Sequence, residues 1–439
     1  MHYRDGVPAV IEATRTIARQ AVRPETPARL RLWVAVTVLT AAALLASLSL
    51  LMARVQAQIR IVGDEAAPQA ATAADLYFAL SDMDAQVARL VLTAGNATLA
   101  GSQIDALGTY QARSRQVDAD LQKSLANAAD KDTVLTLLDQ LAVYRERVWQ
   151  TLTAGESAQG YYTQATNTMH LGLLPAAQAL RSASEERLSH AYAGKRATEV
   201  WAVTLAIVLG GALLVLLLAL QVWLARRFRR LLNPALLAAT ALTIALVLPA
   251  IAVLLLQGER LGAARSESLT PFLRLSQARA NSYDAAADTS RYLISSNLAF
   301  YDDDFKRKSA CLAGGGCDTS LPAVAGGSDV SPYQTDQVIT RWQAYVRDHQ
   351  KIIGLATAGK NDDAIGALTG IRRGDAAFDF SYYDAAIGQI ADARKNAFDR
   401  SMHDVSVLMR GWVVIPLVAM GLVSLLVPLA VRKRFAEYR

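Results

Sequence analysis

The chain has 439 residues, 52% of them hydrophobic, with 45 Lys or Arg against 39 Asp or Glu and two Cys, for a formal net charge of +6. The two long polar stretches, 55–200 and 257–411, are themselves slightly acidic, with 12 Lys+Arg against 16 Asp+Glu and 18 against 19. The positive excess therefore belongs to short segments beside apolar runs, where it sets membrane topology and does not mark a nucleic-acid binder.

Four charge-free apolar runs, Trp33–Met52, Trp201–Ala225, Ala235–Leu256 and Trp412–Val431, each have the roughly 20 residues that a helix needs to cross a bilayer. The leader, 1–32, carries six arginines, and Arg15, Arg19 and Arg23 recur every fourth residue along one helix edge. That edge suits anionic lipid or a cytoplasmic protein, or it simply sets topology. The first span (33–54) has an apolar run longer than the roughly 7–15 residues of a signal core, so it reads as an uncleaved anchor. A basic turn, 226–234, holds Arg226, Arg227, Arg229 and Arg230 between spans 201–225 and 235–256, and a tail, 432–439, with Arg432, Lys433 and Arg434 follows the last span (412–431). Positive charge beside a span stays in the cytoplasm, so both termini lie inside a bacterial plasma membrane and both polar stretches lie outside it.

The outer stretches have helical texture. Leu76, Leu80, Met83, Val87, Leu90 and Ala94 alternate steps of four and three, the seam of a helix in a bundle. Leu137, Leu141, Tyr144, Val148 and Thr151 repeat the pattern, with turns near Gly95 and Gly155, and the chain returns through Leu180, Leu188 and Tyr192 into the second span. The second stretch passes Phe272, Tyr283, Tyr292 and Phe300, meets a Gly/Ser/Pro-rich segment from Cys311 to Pro332 that reads as a loop, resumes at Ile339, Trp342, Tyr345, His349 and Ile352, and runs from about Phe380 into the fourth span. The fold class is all-α: four transmembrane helices and two tandem extracytoplasmic bundles, 55–200 and 257–411, whose end helices continue into the membrane. Tyr77 and Asp82 recur as Tyr283 and Asp288 at one offset, as a duplication would leave them.

Outside the cytoplasm Cys311 and Cys317 can close into a disulfide across Gly314, Gly315 and Gly316; free thiols are the alternative. The chain has no HExxH, P-loop, GxSxG, dinucleotide or kinase signature, no evident metal set and no cofactor motif. Its cytoplasmic pieces are too short for a catalytic domain, so the expectation is a non-enzyme. The apolar runs hold no ionisable residue, which argues against a pump. Ala42 with Ala46, Ala43 with Ser47, and Gly210 with Gly211 allow close helix contact, while Pro249, Pro416 and Pro428 interrupt backbone bonding; the spans either shift and bend or are packed in the ordinary way. His349 in an apolar stripe reads as a core histidine, and Arg145 as a solvated edge residue or a carboxylate clamp. Asp302, Asp303, Asp304, Lys306, Arg307 and Lys308 form a solvated helix end or a charged contact for an outer partner.

Helical modules bracketed by spans, the first running DLYFALSDMDAQVARL, resemble the four-helix-bundle sensors of chemoreceptors and sensor kinases. Two such modules without an output domain, in an Ala- and Arg-rich chain of this length, resemble the GlnX-type membrane proteins of the actinobacterial GlnH–GlnX–PknG system. That resemblance implies a transducer for extracytoplasmic Asp or Glu, with a GlnH-like solute-binding lipoprotein outside and a PknG-like Ser/Thr kinase inside as partners, and possible homodimers in the lipid. A direct small-molecule sensor, with an amino acid held between helices of one bundle, and a permease-like subunit of an ABC assembly are the alternatives.

Overall fold

A computed structural model describes residues 26–125, 130–228, 233–295, 298–314, 316–327 and 330–436, and all regular structure among them is helical. In chain order the helices are α1 (Thr26–Arg60), α2 (Ala67–Thr93), α3 (Ala100–Leu125), α4 (Lys131–Thr153), α5 (Ala158–Thr168), α6 (Leu174–Phe228), α7 (Pro234–Ala263), α8 (Thr270–Ile294), α9 (Ala299–Ala313), α10 (Leu321–Ala325), α11 (Pro332–Thr357), α12 (Asn361–Thr369), α13 (Ala376–Leu408) and α14 (Val414–Ala436). The chain divides into two compact units. One gathers the helical residues up to Arg60, Tyr192–Leu261 and those from His403 onward; the other comprises Ile61–Ala191 with Gly262–Met402.

The apolar unit contains four helices long and apolar enough to cross a membrane. Leu39, Val215, Leu248 and Leu425 are 63–69% exposed, an apolar surface of the kind that lipid covers. Within the unit α1 packs on α14. Gly210 of α6 lets α7 approach closely, since a Cβ there would come within 2.9 Å of Val247. Pro249 and Pro428 sit inside α7 and α14.

Among the described residues three π-helical segments interrupt the helices: Ile61–Ala66 before α2, Met169–Leu173 before α6 and Ala264–Leu269 before α8. Each ends two residues before a proline, respectively Pro68, Pro175 and Pro271. Proline has no N–H for the carbonyl four residues back, and an i→i+5 register lets the following residue serve that carbonyl. The helix thus stays unbroken from α1 into α2, and from α7 into α8.

In the polar unit, α2, α3, α4 and α5 with the start of α6 form a four-helix arrangement. Leu76, Leu80, Met83 and Val87 meet Leu137, Leu141, Tyr144 and Val148 in its core, each removed from water at a gain of about 1.5–3 kcal/mol for the aliphatic side chains. Gly95 (φ 77°) and Gly155 (φ 55°) adopt the left-handed geometry that ends α2 and α4. The other half packs α8, α9, α11 and α13 around Phe305, Trp342, Tyr345, Tyr383 and Ile352. Ser331 and Gln334 close a capping box at the start of α11.

The structure departs from the sequence expectation in three local features and in one global one. The stretch from Cys311 to Pro332 is more than a loop: α9 extends to Ala313, and α10 buries Leu321, Val324 and Ala325 while Arg394 of α13 donates to the carbonyls of Val324 and Gly326. Second, α13 does not run on into the fourth span but stops at Leu408, and a turn over Met409–Val413 with Gly411 at φ 87° precedes α14. Third, Phe300 is 61% exposed and contributes nothing to the core.

The two halves are also not separate bodies. α2 lies along α8, joined by Phe78, Ala85, Ala280, Tyr283 and Ala287, with Phe78 and Tyr283 ring centroids 5.3 Å apart. Between this seam and the core of the first half, every residue from Phe78 to Ala88 is buried, Ser81, Asp82, Asp84 and Gln86 included.

Candidate functional site

The α2–α8 seam carries charges where a helical core ordinarily has none. Arg291 of α8, 2% exposed, reaches Asp84 of α2 through Nη2, and through Nη1 it donates to Asp288 at 2.6 Å and Asp284 at 3.0 Å. Lys308 of α9 turns inward and bridges Asp284 and Asp288, both at 2.6 Å, and Asp304 at 2.8 Å. The Tyr144 hydroxyl donates to Asp84 Oδ1 at 3.4 Å. His170 Nε2 lies 2.7 Å from Arg291 and 3.3 Å from Asp84; one nitrogen cannot accept from the first and donate to the second, so the tautomer decides which bond forms.

Carboxylates outnumber cations in this knot, and their acidities diverge. Burial pushes Asp288 up to about 6 against the pull of Arg291 and Lys308. Burial is the largest single effect on Asp84 and Asp284 as well, but Arg291 and His170 together at Asp84, and Arg291, Lys308 and His170 together at Asp284, outweigh it and hold both below the usual carboxylate range. Lys308 is raised, the loss of hydration being overcome by Asp284 and Asp288. Such a network is costly to break on one side, since the partners left behind remain desolvated.

Beside the knot, a cleft of about 590 Å³ opens between α2 and α3 on one side and α8 and α13 on the other. Along one face of α2, Asp82, Gln86 and Arg89 form a hydrogen-bonded strip. Arg113 of α3 donates through Nε to Asp82 Oδ2 at 2.5 Å, Gln86 donates to Asp82 Oδ1 at 2.7 Å, and Arg89 donates to Gln86 at 3.2 Å. Burial raises the Asp82 carboxyl despite Arg113. Across the cleft Arg279 holds Asp384 in a bidentate pair at 2.6 and 2.8 Å. The guanidinium carbons of Arg113 and Arg279 stand 4.7 and 4.3 Å from the Phe78 ring centre. Tyr283, Tyr345, Phe378 and Phe380 supply an aromatic wall.

Of the residues singled out in the sequence, Cys311 and Cys317 form the disulfide. Lys306 and Arg307 are exposed and pair with Asp302 and Asp304 on their own helix, whereas Lys308 belongs to the buried knot. His349 is 1% exposed, stacks on Phe305 at 3.5 Å, and bonds Thr289 at 2.9 Å and Asp302 at 3.2 Å. Arg145 clamps Asp118 at 2.8 Å. Arg226 is exposed near the end of α6. Arg15, Arg19, Arg23, Arg229 and Arg230 lie outside the described residues, as do the side chains of Arg227, Arg432, Lys433 and Arg434. The sequence reading passed over Asp84, Arg89, Arg113, His170, Arg279, Asp284, Arg291 and Asp384. Their signal was present as charges at core-facing positions of Ala-rich helices, Asp82 and Asp288 being the ones it noticed.

Residues 58–193 match the family described as Actinobacterial sensor domain. The matched stretch begins at the end of α1 and closes within α6, so it takes in the first half of the polar unit. Comparison with curated proteins gave no match, and neither did comparison with solved structures. The family points to a sensing or signalling role for this half.

Proposed function

We propose that the chain is a non-enzymatic transmembrane signal transducer, GlnX-like in its role, that passes an extracytoplasmic Asp or Glu signal from a ligand-loaded solute-binding lipoprotein to a cytoplasmic Ser/Thr kinase. The observation that carries this reading is the match to a sensor domain in a chain whose helices run unbroken from polar into apolar residues over Arg31–Thr93, Ala158–Arg226 and Pro234–Ile294. An unbroken helix transmits a piston, tilt or rotation along its axis. The polar unit lies outside, and the basic segments around Arg226 and Arg432 present the inner surface to the kinase.

Crosslinking mass spectrometry in the native membrane, with and without external aspartate or glutamate, tests the relay. Ligand-dependent crosslinks from the polar unit to a solute-binding lipoprotein, together with crosslinks from the leader, basic turn or tail to a soluble kinase, are the expected result. If neither partner appears while crosslinks within the polar unit respond to amino acid, the relay is wrong and a direct sensor replaces it.

A further inference from the structure

The cleft between α2/α3 and α8/α13 has a volume within the range of about 300–1,000 Å³ typical of small-molecule sites, and it combines an aromatic wall with a few convergent polar groups. Its unspent hydrogen-bonding capacity is on the donor side. Both oxygens of Asp82 already accept, from Gln86 and Arg113, and both oxygens of Asp384 accept from Arg279. Asp105, at the rim, is 70% exposed and 3.6 Å from Arg89. By contrast, Arg113, bonded through Nε to Asp82 and through Nη1 to Gln116, makes no hydrogen bond through Nη2 among the described residues, whereas Arg89 is engaged by Gln86 and Ser102. The guanidinium is a planar fork suited to a carboxylate, and the Asp82–Gln86 strip fixes both arginines.

We propose that this cleft binds a small organic carboxylate with an aromatic or aliphatic body, the carboxylate received by Nη2 of Arg113 and the body laid against Tyr283, Phe378 and Phe380. The site uses groups from both halves of the polar unit, so an occupant braces the α2–α8 seam. It is a ligand site of the chain itself and does not depend on a lipoprotein partner.

Isothermal titration of the full-length protein in nanodiscs, with 3-phenylpropanoate, phenylalanine, phenethylamine and glutamate as probes, tests it. The two aryl acids bind saturably with a Kd below about 1 mM, and the amine, which lacks the carboxylate, does not. Arg113→Lys, which keeps a cation beside Asp82 but removes the planar second donor, weakens the acids by at least about tenfold. Ala385→Trp, at an exposed position on the cleft wall, removes binding while the melting temperature of the unliganded protein stays put. The proposal is overturned if no probe binds, if phenethylamine binds as tightly as the acids, if glutamate binds while the aryl acids do not, or if Ala385→Trp leaves affinity unchanged. None of these outcomes bears on the partner crosslinks that test the relay, so either idea can fail alone.

Discussion

Arg291 serves three carboxylates from a position 2% exposed, which makes it the residue on which the seam depends most. Arg291→Ala leaves Asp284 and Asp288 to Lys308, and Asp84 to Tyr144 and His170, all still desolvated, and is expected to cost about 3–5 kcal/mol in denaturant unfolding. Arg291→Met combined with Asp84→Asn removes a charge from each side and should recover part of that loss; no recovery would mean that the arginine acts through packing. His349 gives a pH test. Burial, against the pull of Asp302, lowers it to about 4, so the folded state keeps it neutral. As pH falls below the unfolded value of about 6.5 the unfolded chain takes up a proton that the folded chain refuses, and stability of order 3 kcal/mol is lost between about 6.5 and 4. Asp288 and Asp348, each raised to about 6, act with the opposite sign in the same window, since their folded forms favour the proton. The comparison that isolates the histidine is therefore wild type against His349→Gln. The variant should lose the acid-side decline due to this residue, and parallel melting curves from pH 7 to 4 would refute the assignment.

At the scale of elements, the helices were legible because their apolar residues keep step with 3.6 residues per turn. Leu76 through Leu90 and Leu137 through Val148 are buried as their spacing requires, and the chain turns at Gly95 and Gly155. The π segments were not read, although Pro68, Pro175 and Pro271 stood in the sequence, because a proline near a helix start is ordinarily harmless; its effect shows only where helix precedes it as well. The break at Met409–Val413 was hidden because apolar residues resume immediately after Gly411 and hydropathy cannot distinguish a turn from a turn of helix. Junction type gives a prediction for the relay. One Ala inserted after Ala197 in α6 rotates the following residues by about 100° and shifts them about 1.5 Å, and should abolish ligand-dependent crosslinking to the inner partner. The same insertion after Arg410 falls in a turn and should be tolerated. Equal tolerance at both sites would remove rigid helices from the mechanism.

For the whole molecule, the sequence suggested two modules each with its own core, and the structure instead sets α2 and α8 side by side in one compact unit. The face that joins them was hard to see because it is made of Ala85, Ala280 and Ala287, whose small side chains allow close approach without a strong apolar pattern, and of charges that would read as solvated if their partners were unknown. The duplication hinted at by Asp82 and Asp288 describes positions better than environments. Both are fully buried acids on the central helices, yet one pairs with Arg113 inside the cleft strip and the other with Arg291 and Lys308 in the knot. Because Phe78 and Ala85 of α2 are buried against Ala280, Tyr283 and Ala287 of α8, a fragment of residues 61–191 would expose them and leave Asp84 without Arg291. That fragment is expected to aggregate or self-associate in analytical ultracentrifugation, whereas a single chain linking 61–191 to 262–402 should sediment as a folded monomer. A stable monomeric 61–191 with a cooperative melt would show that the halves fold independently and that the charged seam is a docking surface between finished domains.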